Sequence, residues 1–242
     1  MNMPTIISWN LGHQTREREI ASGFMPAVRE LDPDALVLSE YVHGASRSTL
    51  LRELAGLGLT HWQVSKRIGK NNDVFVASKT ELQLGDLSPP SSGNGAAESN
   101  FLHAHLSAYS LDLVGIRVPS YSGSELTAYW QQLDRLIRDS KSRRIAFIGD
   151  FNADPDLRHI GSRYLREMMK DGWEIPKAKG EWSFVSGSRI DHVVASPSSM
   201  VSSSEYVSTL GELVLASADR QTRVSDHAAL VVKFVVVGHD AV

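Results

Sequence analysis

Arg143-Arg-Ile-Ala-Phe-Ile-Gly-Asp-Phe-Asn-Ala-Asp-Pro155 is the stretch that decides the fold. Its run from Ile145 to Ile148 is apolar without polar alternation, which is typical of a strand covered on both faces. Asp150 and Asn152 follow with one residue between them, and residues two apart in extended chain point the same way. Both side chains offer oxygen ligands of the kind that Mg²⁺ or Ca²⁺ accepts, although Gly-Asp-x-Asn is also an ordinary turn sequence.

The composition is that of a globular protein. The chain has 242 residues, of which 42% are hydrophobic and 22% charged, and its net charge is −3. The absence of cysteine excludes disulfide scaffolds, thiolate metal sites and cysteine nucleophiles. An acidic pI of about 6.3 does not point to nucleic acid, but a local basic face can coexist with an acidic metal site.

The organisation of the chain indicates one α/β domain over residues 1–242, because strands and helices intersperse without a break in composition. Strands are predicted over residues 5–9, 35–38, 61–67, 74–77, 101–106, 111–118, 145–148, 182–185, 190–195, 213–216 and 228–236. Helices are predicted over 16–31, 46–57, 125–137 and 156–169, and residues 86–100 and 196–204 are predicted as loops. No apolar run reaches transmembrane length and no signal peptide is evident, so we expect a cytoplasmic monomer.

Polar residues stand at or beyond the ends of the predicted buried strands, where α/β sheets build their sites. They are Asn10, Glu40, Asp150, Asn152, Asp191, Asp226 and His227. Carboxylates can hold Mg²⁺ and orient or deprotonate water, while a histidine can donate to a phosphate oxygen in the transition state. The set therefore supplies the parts of a metal-dependent phosphoryl site.

Five sequence blocks that contain these residues resemble the signatures of the endonuclease/exonuclease/phosphatase superfamily. They are Ser8-Trp-Asn10, Leu38-Ser-Glu40, Gly149-Asp-Phe-Asn152, Arg189-Ile-Asp-His192 and Ser225-Asp-His227, in family order. The resemblance implies a four-layer α/β sandwich of two packed, mainly antiparallel sheets flanked by helices. It also implies a phosphoesterase that uses Mg²⁺, with Mn²⁺ as a substitute.

The resemblance assigns a role to each matching residue. Glu40 corresponds to the principal metal ligand, with Asn10 beside it and Asp226 as a further acid near the metal. Asp150 corresponds to the residue that orients or deprotonates the attacking water, and Asn152 to the amide that holds phosphate or nucleophile. His227 corresponds to the histidine on the scissile phosphate, which Asp191 orients and charges.

Two positions depart from the family pattern. Many members have His or Tyr, in contact with the phosphate, where this chain has Arg117; arginine could replace it as a fixed charge with bidentate reach, or form a structural ion pair. Abasic endonucleases carry an acid two positions after the motif Asn, and here that position is Gly12.

Four further residues are candidates for substrate binding. Trp182 lies shortly before the Arg189 block and could stack on a base, although core packing explains it equally well. Arg223 leads into the His227 block, and Lys66 and Arg67 make a basic turn that could grip a phosphate backbone or simply face solvent.

The sequence therefore predicts a Mg²⁺-dependent phosphodiesterase, with DNA or RNA as the first choice of substrate. A phospholipid, inositol phosphate or nucleotide is the alternative, which the acidic pI favours. A non-catalytic binding module is a third interpretation; it is opposed by the complete set of clustered carboxylates, which are costly to bury without a function.

Overall fold

The computed structural model describes residues 3–12, 20–42, 44–69, 71–91 and 96–235. Its strands are β1 (Thr5–Asn10), β2 (Ala35–Tyr41), β3 (His61–Val64), β4 (Asp73–Ser78), β5 (Leu82–Leu84), β6 (Phe101–Leu106), β7 (Leu111–Arg117), β8 (Ile145–Asp150), β9 (Asp191–Ala195), β10 (Val201–Val207), β11 (Thr209–Leu210), β12 (Leu213–Val214) and β13 (Ala229–Phe234). Its helices are α1 (Phe24–Leu31), α2 (Arg47–Gly56), α3 (Ala96–Ser99), α4 (Gly123–Asp139) and α5 (Ile160–Lys170).

Two sheets face each other. One has six strands in the order β10-β13-β1-β2-β4-β3, and the other has five in the order β5-β6-β7-β8-β9, while β11 and β12 pair separately. Each large sheet contains one parallel pair, β1–β2 and β7–β8, and its other pairs are antiparallel. The parallel pairs occupy the middle of the sheets, which places their carboxyl ends near one another.

Apolar side chains alternate along the central strands and fill three clusters. Ile6, Val37 and Ile148 belong to the cluster between the sheets. A second cluster packs α4 and α5 on the outer face of the five-stranded sheet, and a third packs α1 and α2 on the outer face of the six-stranded sheet. The result is the predicted four-layer sandwich, helices–sheet–sheet–helices.

Most predicted elements are present, and the differences have local causes. The first helix begins at Phe24 within the described residues, and α5 begins at Ile160, after a turn closed by Leu157 N donating to Asp154 O at 3.0 Å. Residues 182–185 form only isolated bridges, at Phe184. Parts of the predicted 16–31 helix and 86–100 loop lie outside the described residues.

The prediction of a loop over residues 196–204 is wrong in its second half, because residues 201–207 form the edge strand β10 against β13. Ser204 and Tyr206 of this strand are buried, whereas Ser202 and Ser203 are exposed. None of the helices in the described ranges is long and apolar enough to cross a bilayer.

Candidate active site

Asp150 ends β8 at the centre of the candidate site. The preceding Gly149 has φ +146°, and a Cβ there would lie 1.9 Å from the Ile116 carbonyl oxygen of β7, so only glycine fits. The Asp150 carboxylate accepts two hydrogen bonds, from the Asn152 backbone N–H to Oδ1 at 2.8 Å and from Asn10 Nδ2 to Oδ2 at 3.1 Å. These bonds fix both oxygens of a buried carboxylate.

Glu40 reaches the site only because the backbone of β2 departs from regular strand geometry. Leu36 and Leu38 pack on the outer face of their sheet, and simple alternation would send Glu40 the same way. Instead Glu40 has φ +52°, and the β2–β4 register shifts between Leu38 and Tyr41. Such irregularities re-aim side chains and concentrate at functional sites.

Arg117 ends β7 and joins the two acids. Its Nε donates to Glu40 Oε1 at 2.8 Å and lies 3.9 Å from Asp150 Oδ2. Its own backbone N–H donates to the Asn100 carbonyl oxygen at 2.9 Å. The guanidinium therefore places one positive charge between the two carboxylates that the resemblance assigns to metal and water.

Asp191 and His227 form a second charged pair, with His227 Nδ1 and Asp191 Oδ2 2.8 Å apart. Burial lowers the pKa of His227, but the Asp191 carboxylate more than offsets this and raises the pKa to about 9. The imidazole is therefore a cation at neutral pH, with Nδ1–H directed to Asp191. Trp9 Nε1 donates to the His227 carbonyl oxygen at 2.8 Å and holds this segment against β1.

The charges of Arg117 and of the Asp191–His227 pair both act on Asp150. Burial is the main cause that raises the pKa of Asp150 to about 6, and the neighbouring Asp191 charge adds to it. The charges of His227 and Arg117 act in the opposite direction. With this pKa the buried Asp150 carboxylate is ionised at neutral pH and is more basic than an ordinary aspartate. The cations Arg117 and His227 and the anion Asp191 are its charged neighbours.

Asn152 also has a left-handed backbone, with φ +47°. Its Nδ2 donates to the Val118 carbonyl oxygen at 2.7 Å, so the side-chain amide is fixed between the ends of β7 and β8. Of the four non-glycine residues with positive φ in the described part of the chain, two are Glu40 and Asn152. Strain of this kind persists where the surrounding structure enforces it.

Asp226 lies apart from the Glu40–Arg117–Asp150 group in its contacts. Arg223 Nη2 approaches its Oδ2 at 3.3 Å, and the Ser225 hydroxyl lies 3.4 Å from its Oδ1. A Cβ at Gly12 would be 3.2 Å from Asp226 Oδ1. An acidic side chain at the Gly12 position would therefore stand beside Asp226 as a second negative charge. In this chain the charged neighbour of Asp226 is the cation Arg223.

The remaining substrate candidates are dispersed. Trp182 packs against the core between the sheets, and Lys66 Nζ pairs with Glu98 Oε2 at 2.7 Å on an exposed surface. Arg67 is exposed and close enough to Asp73 and Tyr41 for its charge to act on both. Their roles in substrate binding stay predictions.

The sequence did not point to Ser183 and Phe184, which contact Asp191 and His227. The Ser183 hydroxyl accepts hydrogen bonds from the backbone N–H groups of Ile190 and Asp191, at 2.9 and 3.0 Å. The Phe184 ring lies 4.8 Å, between centroids, from the ring of His227. The sole signal was their proximity to Trp182 and the Arg189 block, because Ser and Phe carry no chemistry of their own in this pattern.

The oxygen donors fit a hard divalent cation. Glu40 and Asp150 provide two carboxylates on either side of one cation, Arg117, and Asn10 adds an amide. Among the described residues no group of three or more His, Asp or Glu side chains is arranged so that it could hold a metal ion by itself. Such a donor set suits Mg²⁺, which commonly takes one or two carboxylates and keeps several waters.

Comparison with known proteins agrees with this geometry. The model of the "Endonuclease/Exonuclease/phosphatase family" matches residues 7–227, which includes every site residue named above. No curated protein gives a significant sequence match.

Similar solved structures include an endonuclease/exonuclease/phosphatase from Beutenbergia cavernae, with a TM-score of 0.72 and 14% identity over 98% of this chain and 72% of that one. An AP endonuclease from Archaeoglobus fulgidus has a TM-score of 0.69 and 17% identity over 97% and 100% of the two chains. The 3′ phosphatase NExo from Neisseria, bound to a product DNA hairpin, has a TM-score of 0.65 and 16% identity over 96% and 99%. At these identities the likeness shows the fold.

Proposed function

The chain belongs to the endonuclease/exonuclease/phosphatase family, whose members are phosphoric ester hydrolases, and we propose that it is a Mg²⁺-dependent nuclease that hydrolyses the DNA or RNA backbone. We further propose that residues 1–242 act as one catalytic domain. Activity as a cytoplasmic monomer remains a prediction from the sequence.

One observation carries the proposal: the buried Asp150 carboxylate lies 3.9 Å from Arg117 Nε on one side and next to the Asp191–His227 pair, through the β8–β9 pairing, on the other. Burial raises the pKa of this carboxylate to about 6. A carboxylate of this basicity can accept a proton from water near neutral pH. Two cations that flank it can stabilise charge on phosphate oxygens. The arrangement therefore matches attack by water on an anionic phosphoester.

In this proposal each group acts at a defined atom. Asp150 orients the attacking water and accepts its proton as the new P–O bond forms; the ester P–O bond opposite the water breaks, and the displaced oxygen leaves with a proton from solvent water. Asn10 and the Asn152 backbone N–H hold the carboxylate in place. His227, charged by Asp191, donates from Nε2 to a non-bridging phosphate oxygen. Arg117 exchanges part of its contact with Glu40 for a second phosphate oxygen, which its guanidinium can bind in a bidentate manner.

Glu40, with Asn10 beside it, would hold Mg²⁺. The family resemblance also assigns Asp226 to the vicinity of the ion, although its contacts in the structure are with Arg223 and Ser225. When bound, the ion supplies Lewis-acid stabilisation of the charge on the phosphate. The hard oxygen character of these donors favours Mg²⁺ or Mn²⁺ over softer metals.

The test is cleavage of end-labelled oligonucleotides in Mg²⁺, with EDTA as the metal-free control. The substrates are an intact duplex, a single strand and a duplex with one abasic site. Cleavage of any of them in Mg²⁺ and none in EDTA supports the proposal, and the pattern identifies the preferred substrate. Metal-independent cleavage, or no cleavage of all three, overturns it.

Asp150→Ala and His227→Ala are each expected to reduce hydrolysis by a factor of at least about 100, because each removes a group that acts on the reacting atoms. Asp156→Ala is the matched control, since this exposed carboxylate lies outside the site and pairs with Lys177. Circular dichroism confirms that each variant is folded. Undiminished turnover of either site variant would contradict the mechanism.

A small phosphoester or a lipid is the second candidate substrate, and the net charge of −3 favours it because the chain as a whole does not attract polyanions. Hydrolysis of inositol phosphates, nucleotides or phospholipid vesicles is measured with the same preparation. Turnover confined to these substrates would replace the nuclease assignment and leave the roles of Asp150 and His227 unchanged.

A further inference from the structure

A basic groove of about 410 Å³ lies outside the residues of the candidate site. It is formed by one residue of α4 and by the first turns of α5 with the residue pair before it: Thr127, Arg158, His159, Ile160, Arg163, Tyr164 and Arg166. Arg158, His159, Arg163 and Arg166 are all exposed. Three guanidinium groups within nine residues make this groove strongly cationic on a protein whose net charge is negative.

The groove lies on the same side of the fold as the site. Helix α4 follows β7, which ends at Arg117, and α5 follows β8, which ends at Asp150, so both helices begin at the edge that carries the site. The helices pack together, with the rings of Trp130 and Tyr164 stacked at 5.8 Å and 5°. Arg158 follows Asn152 by six positions, which limits the distance between their Cα atoms to at most about 20 Å.

The arginines differ in what they already contact. Arg166 Nη1 donates to the carbonyl oxygens of Pro155 and Leu157, at 2.6 and 3.1 Å, and so fixes the turn before α5. Arg163 Nε is 3.5 Å from Glu167 Oε1 in an exposed pair, and such pairs contribute little and exchange readily. The Arg163 guanidinium also lies over the Tyr164 ring, 5.0 Å from its centroid, a position that leaves its edge available as a donor. Arg158 and Arg163 are therefore the groups that can bind an external anion.

We propose that this groove binds the phosphate backbone of the nucleic-acid substrate within about six nucleotides of the bond that is cleaved. The proposal rests on the proposed nuclease function and adds to it a second anchor outside the candidate site. Guanidinium groups bind phosphate through paired hydrogen bonds. The N-terminal end of α5, which is the positive end of the helix macrodipole, also favours a negative charge. Because the groove is concave and lined by arginines, a nucleic-acid strand is favoured over an anionic membrane surface.

Length dependence follows from the geometry. Phosphates on one strand of a duplex are spaced by about 3.4 Å along the axis, so the upper limit of about 20 Å corresponds to at most about six nucleotides, and a 20-mer held at the site can reach the groove. A dinucleotide has a single internucleotide phosphate, so it leaves the groove empty when the site holds that phosphate. Affinity is therefore expected to rise with length and to level off once the strand extends about six nucleotides from the site.

The experiment measures binding of fluorescein-labelled 20-mers and dinucleotides by anisotropy in EDTA, as a function of salt, for the wild type and the double variant R158Q/R163Q. Arg166 is left intact because it holds the preceding turn. Loss of two phosphate contacts is expected to weaken 20-mer binding roughly tenfold. It should also reduce the slope of log K against log salt by about two, with dinucleotide binding unchanged.

The matched control is R52Q/R135Q, which removes two exposed arginines from α2 and from a later turn of α4 and should leave both affinities unchanged. Equal 20-mer affinities and salt slopes for wild type and R158Q/R163Q would overturn the proposal. It would also be overturned if the double variant lost binding to phosphatidylserine vesicles and kept its binding to the 20-mer.

Because the assay measures binding and not turnover, it tests the groove independently of the proposed nuclease activity. Length-dependent binding that the double variant loses, in a protein that cleaves no oligonucleotide, would support the groove and overturn the nuclease. Cleavage of oligonucleotides without any effect of R158Q/R163Q would support the nuclease and overturn the groove.

Discussion

Arg117 is the residue that distinguishes this site chemically. A His or Tyr at this position would not be a permanent cation, whereas here Arg117 Nε donates to Oε1 of Glu40, the proposed metal ligand, at 2.8 Å. A fixed charge beside a metal ligand stabilises the carboxylate when no metal is bound and competes with the metal for it. The same guanidinium is well suited to a phosphate oxygen.

Arg117→Ala is therefore expected to change two measurements in opposite directions. Mn²⁺ affinity, measured by calorimetry in the absence of substrate, should rise severalfold because Glu40 loses its competing cation. Turnover should fall by about 100-fold or more because a donor to the transition state is lost. Arg117→Lys is the companion variant, since it keeps the charge and loses the paired donors. A fall in both metal affinity and turnover of Arg117→Ala would show that Arg117 mainly holds Glu40 in its ligand position.

At the level of elements, the sequence predicted the strands that end at the site more accurately than the directions in which the side chains at their ends point. The uninterrupted apolar runs identified β2 and β8, because a strand covered on both faces has few alternatives. The turn of Glu40 toward Arg117 was not predictable, since it depends on a positive φ and a register shift against β4. The strand β10 was not predicted because its serines are typical of a loop. Its strand character shows only in the alternating burial of Ser204 and Tyr206, which the sequence does not reveal.

Strand β4 contains a buried charge that should make stability depend on pH. Asp73 opens this strand opposite Tyr41, is 1% exposed, and has an Oδ1 with no hydrogen-bond partner among the described residues. Burial raises its pKa to about 6, against the opposing charge of Arg67. A raised carboxyl pKa means that the folded state binds the proton more tightly than the unfolded chain does.

The cost of burying this carboxylate is thus complete above about pH 6 and disappears as the pH falls toward the unfolded pKa near 4. Asp73→Asn should increase the free energy of unfolding by on the order of 2 kcal/mol at pH 8 and by almost nothing at pH 4. Urea unfolding at both pH values measures the difference. Asp139→Asn, an exposed aspartate at the end of α4, is the control and should show no such change. A pH-independent effect of Asp73→Asn would refute the argument.

For the whole molecule, the decisive feature is that three polar contacts of the site cross from one sheet to the other. Asn10 bonds to Asp150, Glu40 to Arg117 and His227 to Asp191, and in each pair the first residue belongs to the six-stranded sheet or directly precedes its strand β13. The partners are 140, 77 and 36 residues apart in sequence. Motif order could predict the members of the site, but these pairings depend on how the sheets dock.

The separation of the sheets is set close to the site by Gly115, which faces the opposite sheet two residues before Arg117. A Cβ at this position would lie 2.7 Å from Val74 Cγ1 and 2.8 Å from Val37 Cγ1. Both valines are stiff at χ1 and buried, so they cannot move aside without moving their strands. Gly115→Ala should therefore lower the free energy of unfolding by about 1–3 kcal/mol and displace one half of the site from the other.

Ala146→Gly separates these two effects, because it lies in the same core on β8 and destabilises by removing a methyl group without pushing the sheets apart. A displacement of about 1 Å between catalytic groups can cost a factor of about 100 in rate. Well below both melting temperatures, kcat/KM should fall about 100-fold in Gly115→Ala and stay near the wild-type value in Ala146→Gly. Equal activity in the two variants would mean that the contacts across the sheets re-form at a new spacing, and that sheet separation does not control the site.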